Sequence, residues 1–153
     1  MKKSTNNLLS FILIIFGIAV VIMIFLPTLS FPDSDSSFLG YEVAFGTEFV
    51  NLGSFASGQI NWSILAILGF VFPLIASLIT MYYKKIKAAS IALFAAGAVL
   101  LITMPIYTQA SITVLGTVTD IDIEWVITYG LIMAIVFAMF GLLLSIYMFI
   151  NKK

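Results

Sequence analysis

Three residue types that many enzymes depend on are missing from this 153-residue chain: cysteine, histidine and arginine. Without cysteine there is no disulfide, no thiol nucleophile and no lipid-modified thiol, and the redox compartment stays undetermined. The usual acids, bases and guanidinium clamps of neutral-pH catalysis are absent as well. The composition therefore predicts a protein that is not an enzyme and that holds no cofactor.

Charge is also scarce, since 9% of the residues are charged and 62% are hydrophobic. The seven lysines lie within 2–3, 84–87 and 152–153, and the seven carboxylates within 33–48 and 120–124. Long uncharged runs separate every basic cluster from every acidic one. Short basic clusters beside apolar runs are typical of contacts with anionic lipid, so nucleic acid is not expected as a partner.

Each of the four apolar runs approaches or exceeds the roughly 20 residues that a membrane-spanning helix needs. They cover residues 8–26, 62–83, 88–107 and 125–150. Because lysine collects on the cytoplasmic side, both termini and the turn at 84–87 are predicted to lie inside, with loops 28–61 and 108–124 outside. The prediction is a single membrane domain, residues 1–153, that crosses the plasma membrane several times and has the lipid bilayer as its surroundings.

Small residues on two of the runs predict close helix packing. They recur every four residues, at Ala88, Ala92 and Ala96 on the third run and at Gly130, Ala134 and Ala138 on the fourth. Packing within one chain is the preferred interpretation, and a homo-oligomer interface is the alternative. Pro73, near the middle of the second run, favours a kink, which is read either as ordinary packing or as a gate.

The outer segments carry strand signals. Residues 40–49 (GYEVAFGTEF) predict one short strand or a bent pair, and 54–58 a loop. Residues 111–125 predict two strands that meet near Gly116 and Thr117, so that strands from both outer segments can pair. Trp62 and Trp125, at the outer ends of two runs, are predicted to lie in an interfacial aromatic belt.

Three acids at two-residue spacing share one face of the second predicted strand: Asp120, Asp122 and Glu124. Such oxygen ligands are weak candidates for a hard cation, and a solvated acidic face is the preferred interpretation. The outer segments hold more aromatic residues and acids than simple tethers require. The candidate interaction surface comprises Tyr41, Glu42, Phe45, Glu48, Phe49, Asp120, Asp122 and Glu124.

No ionisable residue lies deep within an apolar run, where ion-coupled carriers usually place one. The leading functional hypothesis is a non-enzymatic membrane protein that acts through protein contacts, as an accessory or surface-facing component. Its partner would be another membrane protein or a second copy of the chain. The alternative is a small channel, carrier or immunity-type protein with a polar path past Pro73 and the helix hydroxyls.

The layout carries two resemblances. With GYEVAFG at 40–46, KKIK at 84–87 and a terminal NKK, the chain resembles small, uncharacterised four-span membrane proteins of bacteria. In outline it is also similar to claudin-like tetraspan proteins, in which two outer loops make a small sheet over four helices. The tryptophan and paired cysteines of the claudin loop signature are missing, so that resemblance implies architecture and no junctional role. The predicted fold class is all-α: a four-helix transmembrane bundle with a small extracellular β-structure.

Overall fold

A computed structural model describes residues 3–32, 35–53, 55–82 and 87–151. Its helices are α1 (Lys3–Ile22), α2 (Gly40–Phe45), α3 (Ile64–Tyr82), α4 (Lys87–Ile102), α5 (Met104–Tyr107) and α6 (Tyr129–Ile150). Its strands are β1 (Pro27–Ser30), β2 (Ser37–Leu39), β3 (Thr47–Asn51), β4 (Ala56–Ile60), β5 (Ala110–Val114), β6 (Thr117–Ile121) and β7 (Val126–Ile127). The predicted inner turn at 84–87 lies outside the described residues except for Lys87.

The four long helices pack in a ring, with α1 against α3, α3 against α4, α4 against α6 and α6 against α1. Three segments are long and apolar enough to cross a membrane: Asn7–Phe25, Ile64–Tyr82 and Tyr129–Ile150. The runs predicted at 8–26, 62–83 and 125–150 are thus confirmed as apolar helices, with shifted bounds. α4 is apolar but has 16 residues, about 24 Å at 1.5 Å per residue, which is shorter than a hydrocarbon core of about 30 Å.

The predicted run at 88–107 is not one helix. α4 ends at Ile102 and α5 begins at Met104, with Thr103 between them at φ −87° and ψ 1°. Pro105 has no N–H and restricts the residue before it, so the α-helical ladder does not continue through this point. The third run is therefore divided into a shorter apolar helix and a single helical turn.

All strands pair antiparallel, in a three-stranded sheet of order β2-β1-β7 and a four-stranded sheet of order β3-β4-β5-β6. Leu29 pairs with Ile127 in the first sheet, and Ile60 pairs with Ala110 in the second. The four-stranded sheet joins strands from both predicted outer segments, whereas β7 of the three-stranded sheet lies within the run predicted at 125–150. The predicted pairing between those segments is therefore confirmed, as is the hairpin that turns near Gly116.

The predicted all-α class is wrong, because 62% of the structure is helix and 21% is strand. The chain is a mixed α and β protein. Two of its strands lie directly beside the long helices. A 3₁₀ turn at Met23–Phe25 follows α1, and β1 begins at Pro27, with one residue between the turn and the strand. β7 lies just before α6. Proline does not continue a helix, and β-branched residues favour paired strands. Paired strands therefore form at positions that hydropathy alone assigns to helix ends and simple loops.

Two local predictions hold only in part, since a strand is present at 47–49 and β4 begins at Ala56. Residues 40–45 form α2 and not a strand, because the Glu42 carboxylate accepts the Leu39 N–H at 2.8 Å and caps the first turn. Gly46 ends α2 at φ +83°, a conformation that favours glycine, and β3 follows it. The predicted loop at 54–58 includes the first half of β4.

An aromatic cluster joins the two sheets; its members are Phe31, Phe38, Phe49 and Trp125. The Phe31 ring centroid lies 5.1 to 5.4 Å from those of the other three. The indole N–H of Trp125 donates to the Thr108 carbonyl at 2.9 Å, and Trp125 is 9% exposed. Trp125 is thus a core residue, contrary to its predicted place in an aromatic belt. Trp62, in contrast, is 68% exposed.

α6 buries the small residues predicted on it, Gly130, Ala134 and Ala138. The buried face continues through Gly141 and Ser145. A Cβ at Gly141 would collide with the Phe94 ring of α4, and a Cβ at Gly130 would collide with the Pro27 carbonyl. The absence of side chains at these two glycines lets α6 approach α4 and β1 closely.

The small residues predicted on α4 do not behave in the same way. Ala88 and Ala92 are exposed and Ala96 is half-buried, whereas Ser90 and Phe94 are buried. α4 turns a bulky side chain towards α6, where Gly141 leaves room for it. The predicted packing role of Ala88 and Ala92 is therefore not seen within a single chain.

Pro73 is packed between two neighbouring helices. A Cβ at Gly97 of α4 would lie 2.7 Å from Pro73 Cδ, and a Cβ at Gly17 of α1 would lie 2.9 Å from the Pro73 carbonyl oxygen. Glycine on both sides thus accommodates the irregular backbone that proline produces. These contacts favour the packing interpretation of Pro73 over the gate.

Candidate interaction surface

The free end of the four-stranded sheet is formed by two adjacent turns, one at 115–116 and the other between β3 and β4, where residues 52, 53 and 55 are described. The Leu115 N–H donates to the Phe55 carbonyl at 3.0 Å, so the turns are bonded to each other. Leu115 and Gly116 both have positive φ, +48° and +83°, as a two-residue type I′ hairpin turn requires. A leucine in this conformation costs about 1 kcal/mol, and it nevertheless presents its side chain here.

Apolar side chains are exposed around these turns. We call this group the apolar rim: Val50, Leu52, Phe55, Val114, Leu115 and Val118. The largest are 64% (Leu52), 69% (Phe55) and 76% (Leu115) exposed. Val50 and Val114 lie on one face of the sheet and Val118 on the other. Large apolar side chains exposed together at one end of a sheet favour an interaction site. The rim lies at the end of β4 and β5 that is farther from α3, about 15 Å along the strands at 3.3 Å per residue.

The acidic row runs along β6 and the segment after it. Asp120, Asp122 and Glu124 are exposed, while Ile121 and Ile123 are half-buried against the core. This is the predicted alternation. The described residues contain no group of three acids, histidines or cysteines that could hold a metal ion. The three acids are thus placed as a solvated face, and both outer segments lack lysine and arginine in their sequence.

The other residues of the predicted surface have different environments. Tyr41, Phe45 and Glu48 are exposed. Glu42 caps α2 and Phe49 is half-buried in the aromatic cluster, so both have structural roles. None of the apolar-rim residues is among the eight residues of the predicted surface; the signal that could have found them is leucine or phenylalanine beside the turn glycines.

A groove of about 340 Å³ lies at the opposite end of the same sheet, where residues 45–48 face residues 59–62. Gly46 allows this approach, because a Cβ there would lie 2.8 Å from the Ile60 carbonyl oxygen. Asn61 is held in place by a 3.0 Å hydrogen bond that its Oδ1 accepts from the Ser111 hydroxyl. Phe45 and Trp62, both largely exposed, border the groove together with Glu48.

The Tyr107 phenol of α5 is partly buried and is held in its neutral form. The Tyr107 hydroxyl donates to the Leu100 carbonyl at 3.0 Å, and burial raises the pKa of this phenol well above its usual value. Desolvation is the cause, since a buried phenolate loses its hydration. Tyr107 therefore serves as a hydrogen-bond donor that fastens α5 to α4, and not as a proton-transfer group.

A buried hydroxyl cluster, Thr80, Ser90 and Ser145, connects α3, α4 and α6. Ser90 donates to the Ala76 carbonyl at 2.8 Å and accepts from Thr80 at 2.6 Å. Its third neighbour is Ser145, with 3.1 Å between the two hydroxyl oxygens. Because the one Ser90 proton points to Ala76, Ser145 is the donor in that contact. These hydroxyls satisfy one another and the backbone.

No protein-family model matches the chain, and neither a curated protein nor a solved structure matches it. The functional argument accordingly depends on the geometry of the chain itself.

Proposed function

We propose that this chain is a multi-pass membrane protein without enzymatic activity that acts through protein contacts, as an accessory or surface-facing component. In this proposal both termini are cytoplasmic and the two sheets lie outside the plasma membrane. Three helices of span length support the membrane part of the proposal. The sorted charges support the orientation, because lysine is retained on the cytoplasmic side.

The observation that carries the proposal is the apolar rim. Exposing large apolar side chains to water is unfavourable by about 25 cal/mol per Å². Phe55 and Leu115 lie on tight turns whose backbone conformation polar residues or glycine adopt equally well. Their exposure is accounted for if a partner covers them in the working state.

The charge of the outer layer indicates the chemistry of that partner. The acidic row lies on the same sheet as the rim, and the outer segments contain no lysine or arginine in their sequence. A partner surface with apolar residues bordered by lysine or arginine complements this arrangement. A second copy of the same outer face would bring like charges together.

The channel, carrier or immunity-type alternative stays a prediction. It needs helix hydroxyls that are free to contact a solute. Thr80, Ser90 and Ser145 bond to one another, and the Ser77 hydroxyl donates to the Leu74 carbonyl at 2.7 Å. These bonds favour the contact proposal.

The proposal is tested by capturing partners with the tagged full-length protein from its own cells in native nanodiscs. The test variant is Phe55→Ser with Leu115→Ser. The control is Ile106→Ser, which removes an exposed apolar side chain of α5 outside the rim. We expect the rim variant to lose a stoichiometric partner by about tenfold or more, as for an interface hot spot, while the control retains it. An unchanged set of partners in the rim variant would contradict the proposal.

A further inference from the structure

The groove between residues 45–48 and 59–62 has a chemistry of its own. It lies at the helix-proximal end of the four-stranded sheet, where Thr47 pairs with Ile60, and the rim lies at the other end. We infer that this groove is a binding site for a choline-type quaternary ammonium group. The inference does not depend on the rim or on the partner proposed for it.

Two aromatic side chains, Phe45 and Trp62, line the groove. Phe45 is 64% exposed and Trp62 is the more exposed of the two tryptophans. Neither ring is paired with another aromatic ring in the described part of the chain, unlike Trp125. Aromatic rings attract ammonium groups through their negative faces, and tryptophan does so most strongly. Two such rings on one groove form the walls of a cation site.

Glu48 also lines the groove. Glu48 is exposed, and its Oε2 accepts one hydrogen bond from the Asn51 amide at 3.0 Å. A carboxylate has about four acceptor positions, so capacity remains for a cation. The sequence places no lysine or arginine between residues 4 and 83, so no cationic side chain of this segment competes for Glu48.

The size and position of the groove agree with this ligand class. Its volume of about 340 Å³ accommodates a trimethylammonium group or the end of a lysine side chain. Trp62 lies two residues before α3, one of the helices of span length, which places the groove near the level of lipid headgroups. A choline-type headgroup supplies a quaternary ammonium group at that level, so it is the ligand that the position of the groove favours.

The test is a ligand-observed NMR titration of the full chain in a maltoside detergent, which itself carries no ammonium group. The probes are choline, N-acetyl-lysine methylamide and 3,3-dimethylbutan-1-ol, the neutral isostere of choline. We expect the cations to bind with a Kd of about 1–10 mM, as two cation–π contacts and one carboxylate allow, and the isostere to bind at least about fivefold more weakly. We expect choline to bind more tightly than the lysine analogue, and tighter binding of the lysine analogue would overturn the assignment to a choline-type headgroup.

Matched variants locate the site. Glu48→Gln preserves shape and removes the charge, and Trp62→Ala removes an aromatic wall that Trp62→Phe retains. We expect about a five- to tenfold loss of cation affinity for the first two and a smaller loss for Trp62→Phe. Unchanged thermal unfolding of Glu48→Gln and Trp62→Phe shows that they are folded. The inference is overturned if the isostere binds as tightly as choline, if Glu48→Gln has no effect, or if no cation saturates below about 100 mM.

Discussion

The two ends of the four-stranded sheet have opposite environments. At the helix-proximal end, Ile60 and Ala110 are buried and Trp125 lies in the aromatic cluster. At the far end, Phe55 and Leu115 are exposed on their turns. The sheet is thus fastened at one end by packing against the helices and left uncovered at the other. The difference separates residues that build the fold from residues that are available for a partner.

The largest expected effect comes from two aromatic truncations, one at each end. Trp125→Ala removes the indole from the aromatic cluster and leaves the Thr108 carbonyl without its donor, so we expect a loss of about 3–5 kcal/mol in the free energy of unfolding. Phe55→Ala is expected to change it by less than about 0.5 kcal/mol. Denaturant unfolding in detergent, followed by circular dichroism, measures both. Equal losses in the free energy of unfolding would show that the far end of the sheet is packed as tightly as the helix-proximal end.

The second comparison uses one substitution on two helices. Ala134→Leu introduces bulk into the buried face of α6 and is expected to cost about 1–3 kcal/mol, whereas Ala92→Leu lies on the exposed face of α4 and is expected to be near neutral. The same unfolding experiment distinguishes them. A large cost for Ala92→Leu, together with a loss of oligomer mass, would instead support the homo-oligomer alternative for the α4 face.

A third, smaller effect is expected in the hydroxyl cluster. Ser90→Ala leaves Thr80 and Ser145 without their shared partner and should cost about 1 kcal/mol. Ser77→Ala removes only a local bond to the Leu74 carbonyl and should cost less. If Ser77→Ala proves the more destabilising of the two, the cluster does not connect the three helices as described.

The smallest expected effect on stability at neutral pH comes from a substitution of Tyr107. Its pKa is raised in the folded state, so an unfolded chain releases this proton first, above the ordinary tyrosine pKa of about 10. The stability contribution is therefore complete below that pH and declines as the pH rises further. Tyr107→Phe should reduce the alkaline decline in stability relative to wild type. Parallel declines in both proteins above pH 10 would contradict this assignment.

Sequence reasoning located the apolar helices because a spanning helix has a hydropathy signal of known length. It also found the β5–β6 hairpin and the outward acids, since alternation has a period of two. It failed where one contact decided the outcome. Tyr41 and Phe45 favour a strand by propensity, but the Glu42 cap makes a helix of their segment. The four-residue spacing of Ala88 and Ala92 predicted that their face of α4 packs against another helix. It did not predict that Phe94 faces the neighbouring helix instead.

The placement of the rim outside the membrane and in water is the central claim, and single-cysteine labelling tests it most directly. The chain has no native cysteine, so Leu115→Cys is the only thiol in its variant. In intact cells, a membrane-impermeant maleimide should label Leu115→Cys without permeabilisation. The same reagent should label Asn151→Cys, just after the C-terminal end of α6, only after permeabilisation. Labelling of Leu115→Cys only after the membrane is opened or dissolved would contradict the account.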